Sequence, residues 1–475
     1  MHQPLHVAPE IRPPAAAVAV PRWVRIADAA SLLMLTAWAV LLVGDGVRVD
    51  LGSVHISVRS AVRVAVWAAV VIVARHAIYV SPALPTRVIG WFRVQPWRRR
   101  LPFVLRVFAS TRVPPILIGL LAVATIGLGP EVHFKMPFDS AWLNLPARWD
   151  AGWYADVAAI GYRWNYDPSV QQNVVFFPAF PMIAGLIARP LGVNVLYACW
   201  IVALAAFVWA MVLFTRLARM ILDEAEAADS AWLLATYPFA VYFSAPYSES
   251  LFLLSMCGAF LAVEEQRFAR AGAWGLLLGL TRPNGWLIAL PLAIQAWVRA
   301  DDESRRDTRE WLRRGLAVGM PVIGVLLYTL YLHLQFGDGF AWYRGQAAWG
   351  RSYRGLDVLI LDRVQYMWDY GLVTYLVDLP IDAMNFGAAL LALFLIAPVT
   401  RRLGIAYGTL VAVIVLPPLL VGGTMSIGRM TSVLFPLFIW LAAVLPRDRR
   451  TGLMAAFATG QGFAAVLFFT WRPLF

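Results

Sequence analysis

The feature that most constrains this chain is the recurrence of apolar runs, each about as long as a bilayer is thick, separated by short segments rich in arginine. A helix needs about 17 to 25 apolar residues to cross the hydrocarbon layer, and shorter runs suffice once their flanks are counted. In lipid every backbone N–H and C=O must find a partner inside the segment, so such runs read as helices. Apolar cores fall near 27–43, 61–80, 113–128, 195–213, 231–245, 251–263, 273–280 with its flanks, 286–298, 316–334, 383–399, 405–421, 433–445 and 454–469. The expected fold is an all-α polytopic transmembrane bundle of about thirteen spans. Composition agrees: 60% of residues are hydrophobic and 14% charged, against roughly 25% charged in a soluble domain.

The loops set the orientation. The stretch from Arg87 to Arg112 is rich in arginine, which makes it cytoplasmic by the positive-inside rule. Alternation then puts Arg216–Arg219, Arg267–Arg270, Arg299–Arg314, Arg401–Arg402 and Arg447–Arg450 on the same inner side. The net charge of +12 is therefore a membrane-topology signature and not a nucleic-acid footprint. The lipid bilayer is the expected partner. Cys199 and Cys257 both sit in apolar runs, which leaves neither a disulfide framework nor a metal cluster. Residues 1–24 read as a flexible cytoplasmic tail without the order of a signal peptide. Residues 25–112 read as an additional hairpin with a basic loop, and 113–475 as the core.

On the outer side lies an unusually long polar, aromatic connection, 130–181, where a median connection has about five residues. Within it Trp153, Val157 and Ile160 recur at helical spacing and Gly161 supplies a stop, so an amphipathic interfacial helix is expected there. Asp150 stands at its start. Two readings are open: an ordinary N-cap, or a general base at a membrane surface. The Phe176-Phe177-Pro178-Ala179-Phe180-Pro181 run is expected to form a cavity wall and not an ordinary transmembrane helix start, because proline removes backbone bonds. The same side receives Tyr247-Ser248-Glu249-Ser250, Arg282-Pro283-Asn284-Gly285, 337–354, 362–382 and Gly428-Arg429.

Arg282 and Arg429 break the charge bias that the inner loops obey. Each either snorkels or pairs with Glu249, or binds a substrate phosphate, which a guanidinium fork matches well. Arg351 and Arg354 flank Trp342, Tyr343, Trp349 and Tyr353, aromatics that read as an interfacial belt or as a sugar-stacking surface. No Gly-rich phosphate loop, metal-ligand cluster, Ser/His/Asp set or outer Asp-x-Asp pair is present, which argues against a soluble nucleotide-sugar donor.

Arg148-Trp149-Asp150 with Trp153-Tyr154, Gly161-Tyr162, Phe176-Phe177-Pro178 and Phe180-Pro181 resembles the opening of the PIG-V-like mannosyltransferases. Tyr247-Ser248-Glu249-Ser250-Leu251-Phe252, Thr281-Arg282-Pro283-Asn284-Gly285 and Gly428-Arg429 with Phe435-Pro436-Leu437-Phe438 follow in that family's order. The resemblance runs from about Val113 to Pro446. It implies a glycosyltransferase of the C superfamily that takes sugar from a polyprenyl-phosphate carrier, with Asp150 at the catalytic aspartate. On that reading the enzyme is inverting, needs no cofactor or metal, and passes mannose to an extracytoplasmic glycolipid or glycan. Arg282 and Arg429 then hold the donor phosphate, while Arg148, Trp149, Tyr154, Phe177, Tyr247, Glu249, Asn284, Arg351 and Arg354 are candidates for substrate binding. A transporter or flippase of a lipid-linked substrate, or another sugar donor, remains the alternative. A bacterial cell membrane is the expected location, or the endoplasmic reticulum in a eukaryote.

Overall fold

A computed structural model describes residues 21–43, 47–51, 54–58, 61–79, 102–129, 137–301, 307–351, 353 and 355–474. The chain divides into two units, Met1–Arg100 and Leu101–Phe475. In the first, helices Arg22–Val43 and Ala61–Ile78 pack together, and the buried Arg75 Nε donates to Asp28 Oδ1 at 2.8 Å. Between them lies an antiparallel strand pair, Val47–Leu51 and Val54–Val58. It is a small local addition to an otherwise helical chain, whose fold class is all-α as expected. Valine or isoleucine recurs at alternate positions in both runs, a pattern that suits a pleated pair.

The second unit is a helical bundle organised around Glu249–Glu264, whose residues are all buried except the last. A helix apolar on every side belongs inside a bundle. Its 16 residues rise about 24 Å, and each end carries a charged cluster. At one end Glu264 and Glu265 meet Arg299 and Arg216, each at 2.7 Å. These are arginines that alternation puts on the inner side. At the other end Glu249 meets Arg282 and Arg429. The two polar sides read from the loops are thus two real ends of one bundle.

Among the described residues six helices are long and apolar enough to cross a membrane, or seven if a bent pair counts as one span. The thirteen expected spans are therefore not reached by that measure. The runs near 231–245, 273–280, 286–298 and 433–445 contain helices of only 13, 14, 10 and 10 residues. Proline explains much of the shortening. Pro238 and Pro283 each open a 3₁₀ segment, and Pro436 stands in the first turn of Phe435–Val444.

Such breaks are tolerated in a membrane only if side chains take up the freed backbone groups. Pro238–Ser244 is bent 101° from Glu249–Glu264, with Pro246 in the break and Ala245 extended before it, as proline requires. Arg112, fully buried on helix Phe103–Thr125, donates to the carbonyls of Ala240 and Ala235 and to Ser244 Oγ at 3.1 Å. Gln461 Nε2 donates to Ala235 O and Tyr237 O, and Trp200 Nε1 to Ser244 O. Arg112 is therefore a bolt on a kinked segment. It does not lie in a cytoplasmic loop, because its helix starts at Phe103, well before the apolar run at Val113.

Candidate active site

Backbone breaks place the site's side chains. Trp149 adopts a left-handed backbone, φ 50°, which is uncommon for a bulky residue. Its indole Nε1 donates to Phe468 O at 3.3 Å, and its ring lies 4.8 Å from that of Trp471. The following Asp150 occupies the N-cap position of helix Ala151–Ile160, yet its side chain makes no capping hydrogen bond. Instead Oδ2 accepts from Arg429 Nη1 at 2.5 Å. The capping explanation of this aspartate therefore fails. The Asp150 N–H donates to Tyr247 Oη at 2.9 Å, fixing the turn.

Arg282 is extended, φ −151° and ψ 151°, because Pro283 follows it. That turns it toward Glu249, whose Oε1 accepts from Arg282 Nη1 at 2.5 Å and from Arg429 Nε. Glu249 is wholly buried. Arg429 stands on the short helix Ile427–Ser432 and bridges the two carboxylates, with its guanidinium 4.6 Å from the Tyr247 ring and 5.5 Å from that of Tyr242. Burial alone would lower its pKa, but Glu249 and Asp150 hold it well above the ordinary value. The glycine before it is a packing requirement: a Cβ on Gly428 would run into the Phe239 ring. Tyr154 Oη and Ser248 Oγ share a hydrogen bond of 2.7 Å beside the cluster.

A third guanidinium completes the group. Arg351 is half-buried, and its Nη1 donates to Met425 O at 3.2 Å. Burial and the neighbouring Arg429 and Arg282 pull its pKa down to about 10, so it is cationic at neutral pH. Two carboxylates and three guanidiniums leave the cluster one positive charge in excess. Of the two readings of Arg282 and Arg429, pairing with acidic neighbours is what the structure shows.

Other candidates lie elsewhere. Arg148 is buried and spends its guanidinium on the carbonyls of Phe469, Asn144 and Ala147, so it braces the loop and does not face a substrate. Phe177 belongs to a small separate core, with its ring 4.7 Å from Tyr328 and 5.5 Å from Trp342. Asn284 follows Arg282 by two residues, and its Oδ1 is buried without a partner. Trp349 packs edge-on to Trp153 and Phe176, while Tyr343 and Tyr353 are exposed. Arg354 lies outside the described residues.

One local expectation is corrected and another is narrowed. Helix Ala151–Ile160 buries Ala151, Tyr154, Val157 and Ala158, while Ile160 is exposed. The face turns toward small residues because Gly185 comes close, with its Cβ position 3.0 Å from Ala158 O. A helix, Ala179–Leu191, does start in the Phe-Pro run, with Pro178 at its N-cap and Pro181 in the first turn, but its 13 residues are too few for an ordinary transmembrane span. First-turn N–H groups have no partner inside the helix, so proline costs little there. Tyr242 was missed by sequence reasoning. It sits inside an apolar run, and only its contact with Arg429 marks it.

The class these features define is a multi-pass membrane protein that gathers a cluster of carboxylates and guanidiniums at one end of a helical bundle. Residues 134–292 match the family model described as mannosyltransferase (PIG-V). The matched segment carries Asp150, Tyr247, Glu249 and Arg282; Arg351 and Arg429 lie beyond it. Similar solved structures include the archaeal oligosaccharyltransferase AglB from Archaeoglobus fulgidus in complex with an inhibitory peptide and a dolichol-phosphate. It is 11% identical with a TM-score of 0.39, over 79% of this chain and 56% of that one. The Archaeoglobus fulgidus oligosaccharyltransferase in complex with Zn and sulfate is 12% identical with a TM-score of 0.36, over 76% and 53%. This chain thus spans little more than half the length of those structures. No curated protein matches it.

Proposed function

We propose that the chain transfers mannose, with inversion, from a polyprenyl-phosphate carrier to an extracytoplasmic glycolipid or glycan. The observation that carries this is the meeting of Asp150 with Arg429, Glu249 and Arg282, drawn from three distant parts of the sequence. An incoming donor phosphate competes with Asp150 for Arg429 and is drawn further by the excess charge that Arg351 supplies. Glu249, buried between two guanidiniums, anchors them. Removing one member of such a group costs about 3–5 kcal/mol, which suits a scaffold better than a proton shuttle.

The Asp150 carboxylate then takes the proton of an acceptor hydroxyl as that oxygen bonds to the anomeric carbon. The carbon–oxygen bond to phosphate breaks on the opposite face, and its electron pair leaves with the polyprenyl phosphate. The proton passes from Asp150 to water afterwards. The leaving phosphate is already an anion of modest basicity, so this reading calls for neither a general acid nor a metal. The arginine-rich end of the bundle faces the cytoplasm and the cluster faces away from it, in a bacterial cell membrane or its eukaryotic counterpart.

A transporter would bind the same carrier without breaking a bond. Purified protein incubated with radiolabelled polyprenyl-phosphomannose and a panel of membrane lipids is expected to move label onto one of them. Binding of the donor with no label moved to any acceptor or to water favours the transporter.

A further inference from the structure

A cavity of about 340 Å³ opens beside the cluster and plays no part in the phosphate chemistry. Its lining includes Leu359, Asp362, Arg363, Asp382, Asn385 and Thr424. Two hydrogen-bonded links tie it to the charged group. Asn385 Oδ1 accepts from the Gly428 N–H at 2.9 Å, one residue before Arg429, and Asn385 Nδ2 donates to Leu474 O at 3.4 Å. On the other side Met425, also in the lining, offers its carbonyl to Arg351. Pro473 closes the wall two residues after Trp471, which packs on the ring preceding Asp150.

The chemistry of the lining differs from that of the cluster. Arg363 Nη2 is tied to Asp382 Oδ1 and to Thr424 Oγ1 at 2.6 Å, and Asp382 Oδ2 accepts from Tyr375 Oη at 2.7 Å. Arg363 Nη1 donates to Leu359 O at 2.9 Å. Its Nε is buried without a partner. Asp362, on the lining, makes no ion pair or hydrogen bond with any described residue, so the cavity carries one negative charge in excess. Such a lining offers a phosphate less positive charge than the cluster does. It suits a group rich in hydroxyl donors, since a carboxylate accepts from two neighbouring hydroxyls. Gly422, also in the lining, takes the Arg351 guanidinium where a Cβ would stand, and the volume lies in the usual range of roughly 300–1,000 Å³ for small-ligand sites.

We infer that this cavity is the acceptor subsite, holding a hydroxyl-rich sugar or polyol headgroup with Asp362 as its recognition group. The inference rests on the transferase reading above and deepens it. The test is photocrosslinking of the full-length protein with a diazirine-bearing octyl α-mannoside, followed by peptide mapping, in parallel with donor-binding and transfer assays. Label is expected on residues 359–363 or 422–425, falling at least fivefold in Leu359→Trp, which fills the cavity, and in Asp362→Ala, with donor binding unchanged in both. Competition by octyl mannoside alone assigns a lipid-borne headgroup; equal competition by free mannose assigns a soluble glycan. Either supports the subsite. Label elsewhere, or undiminished in both variants while transfer continues, overturns it. Label in the cavity with no transfer overturns the transferase reading and leaves the subsite standing.

Discussion

At the scale of residues, the same side-chain type does three jobs, and position relative to the backbone decides which. Arg112 and Arg148 are spent on carbonyls, Arg282 and Arg429 on carboxylates, and Arg351 on a single carbonyl, which leaves its charge available. The sequence marks an arginine at the outer end of a run but not what it touches. That is why Arg148, beside Asp150, reads as a substrate ligand and proves to be a brace. Asp150 and Glu249 were legible because a carboxylate is expensive to bury, so it stands out wherever apolar residues surround it. Arg351→Ala should keep the protein folded, since one carbonyl bond is lost. It should raise KM for the polyprenyl-phosphate donor at least about tenfold, a loss of about 1.4 kcal/mol, with kcat within about threefold. Initial rates against donor concentration check this, and an unchanged KM removes Arg351 from the phosphate site.

At the scale of elements, the order of helices was readable and their lengths were not. An apolar run fixes that a segment is buried, but a helix inside the bundle need not match the lipid thickness, and proline breaks such as those at 238 and 283 shorten it further. Close helix contacts depend on absent side chains. Helices Phe268–Thr281 and Thr308–Phe336 cross where Gly275 and Gly279 meet Pro321, and where the Cβ position of Gly324 lies 2.6 Å from Leu276 O. Small residues at such crossings let backbones approach where lipid supplies no hydrophobic drive. Gly279→Ala drives a methyl into the Pro321 carbonyl and is expected to cost about 1–3 kcal/mol. Gly315→Ala, where a Cβ meets open space, is the control. Thermal unfolding in detergent should show a lower melting temperature for the first variant alone; equal melting of both would mean the crossing is looser than described.

At the scale of the whole molecule, Glu249–Glu264 joins a basic end to a mixed-charge end, and chemistry is gathered at the latter from residues as distant as 150 and 429. Loop charge alone separates the residues that meet at one end, Glu264, Glu265, Arg216 and Arg299, from those that meet at the other. The three-way meeting at Arg429 was beyond the sequence, since no periodicity encodes which breaks converge. The central claim is that the Asp150 carboxylate removes a proton from the acceptor while its arginine partners hold the phosphate. The most direct measurement compares wild type with Asp150→Asn for mannose transfer from a polyprenyl-phosphate donor, alongside donor KM and the gel-filtration profile. Transfer should fall by about 10²–10⁴-fold, with an unchanged profile and a donor KM no higher than in wild type, since the competitor for Arg429 loses its charge. Turnover close to wild type in a folded Asp150→Asn protein contradicts the account.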